Sequence, residues 1–229
     1  MKTKFFIKTL VIVCLLSTTS CVSFWEKVFL KADGSGTYTF SVDMSNIIGM
    51  LAGTEEEMDT DNLLEELNMD EAGTKARLEA INGVSNVRPE FNKETNMLSM
   101  VFDFDNIDAL NEGISTYLHD STQTEVIQYE IYSMNGKSIE RSGINLLMDT
   151  FQKSLQETSE EEGEELSEEL LKMMFSDMYF ATELQLEKKI KSFSNEEYEQ
   201  EGEHKLVWKT YPFNELNNKT EIAVKVKVK

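Results

Sequence analysis

Carboxylates are the one kind of reactive side chain this sequence holds in quantity: 42 Asp and Glu stand against two His and two Cys in 229 residues. Two carboxyls about 5–10 Å apart in a cleft would suit general acid–base work such as glycoside hydrolysis. A carboxylate-dependent enzyme such as a glycosidase is therefore one reading to carry forward. The other chemistries fail on spacing. His119 lies beside Asp120 and His204 follows Glu203, and neither has a second His or Cys at ligand spacing. No metal site is expected, and both histidines read as solvent-exposed. Gly136-Lys137-Ser138 ends like a phosphate-binding loop, but Ile131 stands where the first glycine is required. Asp33-Gly34-Ser35-Gly36 begins like a calcium loop, yet its twelfth position is Met44 instead of a bidentate Glu. No Gly-x-Ser-x-Gly elbow occurs. No catalytic residue and no cofactor is implied.

The cysteines point to a different chemistry. Residues 1–20 carry Lys2, Lys4 and Lys8, then an apolar run from Leu10 to Leu16, then Ser17-Thr18-Thr19-Ser20. That is the order of a secretory signal, and the apolar run is shorter than the ~20 residues a bilayer span needs. Removing it takes Cys14 away and leaves Cys21 alone, so no internal disulfide can form. A lone thiol at a mature terminus is explained by acylation. Thr18-Thr19-Ser20-Cys21 resembles the lipobox of bacterial lipoproteins, in the looser form of Bacteroidetes-type members, with Thr18 where Leu is usual. The resemblance implies lipid attachment at Cys21, with plain secretion after Ser20 as the alternative. Cys14, behind bulky Val13 and inside the apolar run, is disfavoured.

Charge agrees with a tether. Losing three lysines and no acid takes the net charge from -20 to -23. A field of that sign repels nucleic acid and anionic lipid alike, so the membrane must be held through the acyl chains. Val22-Ser23-Phe24-Trp25 follows Cys21 without the acidic run that resembles a surface-export signal, which implies an outer-membrane lipoprotein facing the periplasm. Asp120-Ser121-Thr122 resembles the short O-glycosylation sequon of Bacteroidetes envelope proteins, making Ser121 a candidate acceptor.

The elements that must carry these residues read as hairpin-then-helix units within one domain, residues 21–229. Phe24 to Leu30 is an apolar, aromatic run; after the turn at Asp33–Gly36, Tyr38, Phe40, Val42 and Met44 alternate with polar residues. A helical piece from Lys75 to Ile81 stops at Asn82-Gly83. Arg88-Pro89 marks an edge strand, and Leu98 to Phe104 alternates. Asp105 or Asn106 caps a helix with Ile107, Leu110, Ile114, Tyr117 and Leu118 on one face. Ile127, Tyr129 and Ile131 suggest a strand, and Asn135-Gly136 a tight hairpin. An acidic helix is expected over residues 144–175, holding eight glutamates between Glu157 and Glu169 as a solvated surface. Strand-like runs follow at Met178–Phe193, Lys205–Tyr211 and Thr220–Val228, the last an exposed or edge strand with lysines on one face. The expected class is α+β: antiparallel sheets built from hairpins, with helices packed on one face.

Phe29 to Met44 with its Asp33–Gly36 turn, and Leu184 to Val228 with Trp208 in the penultimate strand, resemble the LppM-like domains of bacterial lipoproteins. That resemblance implies an envelope protein that binds or interacts, with no catalytic residues. A protein or lipid partner is expected. Bulky groups on both faces of several strands, and the run from Phe24 to Leu30, suggest either a two-layer core or an apolar groove near the membrane. Replacing Cys21 with Ser should shift the protein from the membrane fraction to the soluble one. A fatty-acid-analogue label that persists in the Cys21→Ser chain would overturn the acylation assignment.

Overall fold

A computed structural model describes residues 23–45, 48, 71–119, 126–151, 172, 175–214 and 216–229. The signal segment, Cys21, Ser121 and the glutamates of 157–169 lie outside the described residues, so most of the expected acidic helix does too.

The first hairpin forms where the turn chemistry is strongest. Strand β1 (Ser23–Leu30) and strand β2 (Gly36–Asp43) are joined by a turn in which Asp33 Oδ1 accepts from the Ser35 amide at 3.0 Å and its hydroxyl at 2.7 Å. Gly34 takes φ +89°, which a side chain would resist. Helix α1 (Glu71–Glu79) leads through Gly83, at φ +90°, into β3 (Val84–Asn92) and β4 (Met97–Phe104). Helix α2 (Ile107–Tyr117) starts at Asn106, whose side chain accepts from the Ala109 amide at 2.9 Å. Then come β5 (Tyr132–Asn135), β6 (Ser138–Arg141), β7 (Tyr179–Leu186), β8 (Ile190–Phe193), β9 (Glu199–Glu201), β10 (Lys205–Thr210) and β11 (Val224–Val228).

These strands make two sheets. The large one runs β3-β4-β2-β1-β7-β10-β9 and the small one β5-β6-β11-β8. The α+β class is observed, with strands predominating among the described residues. Alternation sends Val28 and Leu30 of β1, Tyr38 and Phe40 of β2, Met100 and Phe102 of β4, Leu184 of β7 and Trp208 of β10 to one inner face. Helices α1 and α2 cover the β3–β4 side of that face. The small sheet covers the β1–β7–β10 side with Ile139, Val224 and Val226, giving one continuous core.

Four expectations need correction. The large sheet is not wholly antiparallel: β1 and β7 pair in parallel, Ser23 opposite Tyr179 through Leu30 opposite Leu186. Strands so far apart in sequence need no hairpin between them, so turn signals could not reveal their pairing. The run Met178–Phe193 is two strands in different sheets, broken at residues 187–189. Residues 126–131 form no strand, and Ile127 is 53% exposed. Side chains of α2 take over the pairing there: Ser115 Oγ accepts from the Tyr129 amide, and Asn111 Oδ1 from the Ile131 and Tyr132 amides. Finally, β11 does present Lys225 and Lys227 to solvent, but it lies between β6 and β8, not at an edge. The Arg88-Pro89 strand is an edge strand, as expected.

The helix–sheet contact depends on a glycine. A Cβ at Gly113 would stand 2.7 Å from Cζ of Phe102, itself fully buried. Gly113→Ala should therefore cost about 1–3 kcal/mol despite its better helix propensity. A lowered urea midpoint checks this, and an unchanged or raised midpoint would contradict the packing.

Candidate functional site: a buried carboxylate, an open groove and a lysine-lined cleft

One carboxylate sits on the inner face. Glu26 occupies an inward position of β1, opposite Phe40 on one side and Thr182 on the other. Its Oε2 lies 3.0 Å from Nη2 of Arg141 on β6 and accepts from Thr182 Oγ1 at 3.1 Å. Its Oε1 accepts from the Tyr132 hydroxyl at 3.2 Å. Nη1 of Arg141 donates to the carbonyls of Ser142 and Ile144. Burial raises the Tyr132 pKa, and the Glu26 charge raises it further, so the hydroxyl stays protonated and donates. Burial alone would lower the Arg141 pKa, but the facing Glu26 and the buried tyrosines push it upward, and the guanidinium stays charged. With side chains only 10% and 3% exposed, Glu26 and Arg141 are out of reach of a substrate. The pair joins the two sheets.

Three other carboxylates border an open groove of about 780 Å³ between α2 and the chain entering β5: Asp108, Glu112 and Glu130, with Ile107, Tyr129 and Met134. All three face solvent.

The third feature is a cleft of about 200 Å³ where the far end of β1 meets the small sheet. Leu30, Ile139, Leu186 and Val228 form its apolar wall, and Lys31, Lys137, Lys188 and Lys229 line it from four separate places in the chain. Lys31 follows β1, Lys137 forms the β5–β6 turn, Lys188 lies between β7 and β8, and Lys229 follows β11. The structure fixes their approach through the backbone. The Glu187 amide donates to the Leu30 carbonyl, the Val228 amide to the Lys137 carbonyl, and the Ala32 amide to Glu187 Oε2. None of the four lysines forms an ion pair among the described residues, whereas neighbouring Lys189 is bound to Glu203.

The residues singled out in the sequence do not meet here. Both histidines are half-buried instead of fully exposed, and His204 Nδ1 lies 3.0 Å from the Leu186 carbonyl oxygen. Among the described residues no group of His, Cys, Asp and Glu is arranged to hold a metal ion. The Asp33 carboxylate is used by Ser35 within its own turn, bonds that lower its pKa. Sequence reading missed Glu26 and Arg141. The signal was present: an acid at an alternate position of an apolar strand, and an arginine two residues after Ile139.

No protein-family model and no curated relative matches this chain. Among solved structures it is similar to the folded domain of LppM from Mycobacterium tuberculosis, determined by NMR. The TM-score is 0.36 at 9% identity, with 91% of this chain and 89% of that chain covered. That neighbour is mycobacterial and lends no support to a Bacteroidetes origin. Among the described residues no helix is long and apolar enough to cross a membrane.

Arg141→Met strands a buried carboxylate and should destabilise the fold by about 3–5 kcal/mol, whereas Glu26→Leu combined with Arg141→Met should recover most of that loss. Urea denaturation of both variants measures the difference. Equal losses in the two would show that the pair is not coupled.

Proposed function

We propose that this chain is a lipid-anchored, non-catalytic protein of the bacterial cell envelope, held through Cys21 at the outer membrane facing the periplasm. It binds an anion carrying a short apolar group in the lysine-lined cleft. The cleft itself carries the reading. In a chain of net charge -20, four lysines, none of them in an ion pair among the described residues, converge on one apolar wall. The acidic body disfavours anions at long range, so only a ligand that gains both the apolar contact and close ammonium groups is retained. A small cavity with few polar groups fits a ligand of modest size, such as a short acyl chain ending in a carboxylate or phosphate. Anchoring is supported by the signal segment and the lone mature cysteine.

Among the described residues, the carboxylate-enzyme alternative would fall in the groove of Asp108, Glu112 and Glu130. Its open, solvated setting favours binding over catalysis. The anionic apolar dye anilinonaphthalene sulfonate tests the cleft. Binding should saturate, weaken as salt is added, and fall about tenfold or more in a chain carrying Lys31→Glu and Lys188→Glu. Both positions are exposed, and urea denaturation of the two chains checks that the fold is kept. Equal dye affinity in the two chains would remove the cleft as the site.

A further inference from the structure

The end of the large sheet nearest Cys21 is aromatic on both faces. Its outward face there carries Trp25, Tyr179 and Tyr211, all half-buried. Trp25 Nε1 donates to the Tyr179 hydroxyl at 3.0 Å, with the two rings at 88°, and the Tyr211 ring centre lies 5.7 Å from that of Tyr179. Two lysines stand over these rings. The Lys209 ammonium is 3.5 Å from the Tyr179 ring centre and 4.9 Å from that of Tyr211, and Lys27 lies 5.3 Å from that of Trp25. Neither lysine forms an ion pair among the described residues. On the inward side of the same end, the half-buried rings of Phe151, Phe175 and Phe213 gather beside Phe24.

What covers this patch follows from chain length. Only Val22 separates Ser23 from Cys21, a reach of about 7 Å at full extension. The acyl chains on Cys21 therefore bring the bilayer surface to these residues. The composition suits that surface: Trp and Tyr concentrate where one side of the ring is apolar and the other wet. Lys27 and Lys209 carry ammonium groups on long apolar stems and form no ion pair among the described residues, which leaves both ammonium groups able to meet a lipid phosphate. The perpendicular Trp25 and Tyr179 rings offer no flat platform for a sugar.

We propose that Trp25, Tyr179, Tyr211, Lys27 and Lys209 form a belt that docks the domain on the bilayer interface. The belt rests on the lipid-anchor reading and adds an orientation to it. Strand β1 rises from the membrane, and its eight residues hold the lysine-lined cleft about 23 Å away.

The test uses the lipidated full chain in phosphatidylcholine vesicles, with bromine placed either just below the headgroups or at the bilayer centre. The signal of Trp25 is taken as the difference from Trp25→Phe, which removes the contribution of buried Trp208. The belt requires flotation with the vesicles, a blue-shifted Trp25 emission, stronger quenching by the shallow bromines than by the deep ones, and loss of quenching by aqueous iodide. A chain that floats but keeps an iodide-quenched, bromine-insensitive Trp25 overturns the belt and leaves the anchor standing. A chain that does not float overturns both.

Discussion

The inner face of the large sheet is built of Phe, Val, Leu, Tyr and Trp, and into it the chain sets one carboxylate whose desolvation costs several kcal/mol. What offsets that cost is a set of donors from three strands: Arg141 on β6, Tyr132 on β5 and Thr182 on β7. Arg141 and Tyr132 face one another across the β5–β6 hairpin, so they reach Glu26 together only when that hairpin sits in one position. Sliding β6 by one residue would turn Arg141 to solvent and leave the carboxylate with too few partners. Apolar packing alone would tolerate several placements of the small sheet. The ion pair selects one, and its contribution is specificity of docking more than net stability.

The lysine-lined cleft follows from that docking. Leu30 lies four residues beyond Glu26 along β1, about 13 Å away. The β5–β6 turn projects over it because Arg141, three residues past Ser138, has already been fixed against Glu26. A hairpin seated one register differently would carry Lys137 away from Leu30 and Leu186. The buried pair, though closed to solvent, thereby controls the geometry of the lysine-lined cleft.

How far the sequence disclosed this depends on the range of each interaction. The Asp33–Gly36 turn, the Asn135-Gly136 hairpin, the Asn106 cap and the Pro89 edge strand are local, and their residue types reveal them. The break between Leu186 and Ile190 is not visible in an apolar pattern, because both flanking segments are strands and only their sheets differ. The segment 126–131 has strand-like alternation, but Asn111 and Ser115 on α2 satisfy its backbone before another strand can. The cleft draws on four distant lysines, and no local pattern assembles them. Glu26 and Arg141 were each readable as a charge at an inward strand position; that they pair with one another across two sheets was not.

The parallel pairing of β1 with β7 gives the molecule two unlike ends. Each strand begins with aromatic residues, Phe24-Trp25 in one and Tyr179-Phe180 in the other, and each closes with leucine followed by lysine, Leu30-Lys31 and Leu186 then Lys188. Antiparallel pairing would have set the aromatic start of one against the cationic close of the other, and the two gradients would have cancelled. In parallel register Phe24 stacks on Phe180 with ring centres 4.9 Å apart, Trp25 meets Tyr179, and Lys31 and Lys188 come together at the opposite pole. Two short gradients in sequence, far apart in the chain, thus add into one polarity of the fold. The polarity has a consequence only where the two ends meet different surroundings, and the proposed tether at Cys21 would supply that difference by drawing one end toward lipid and leaving the other facing water.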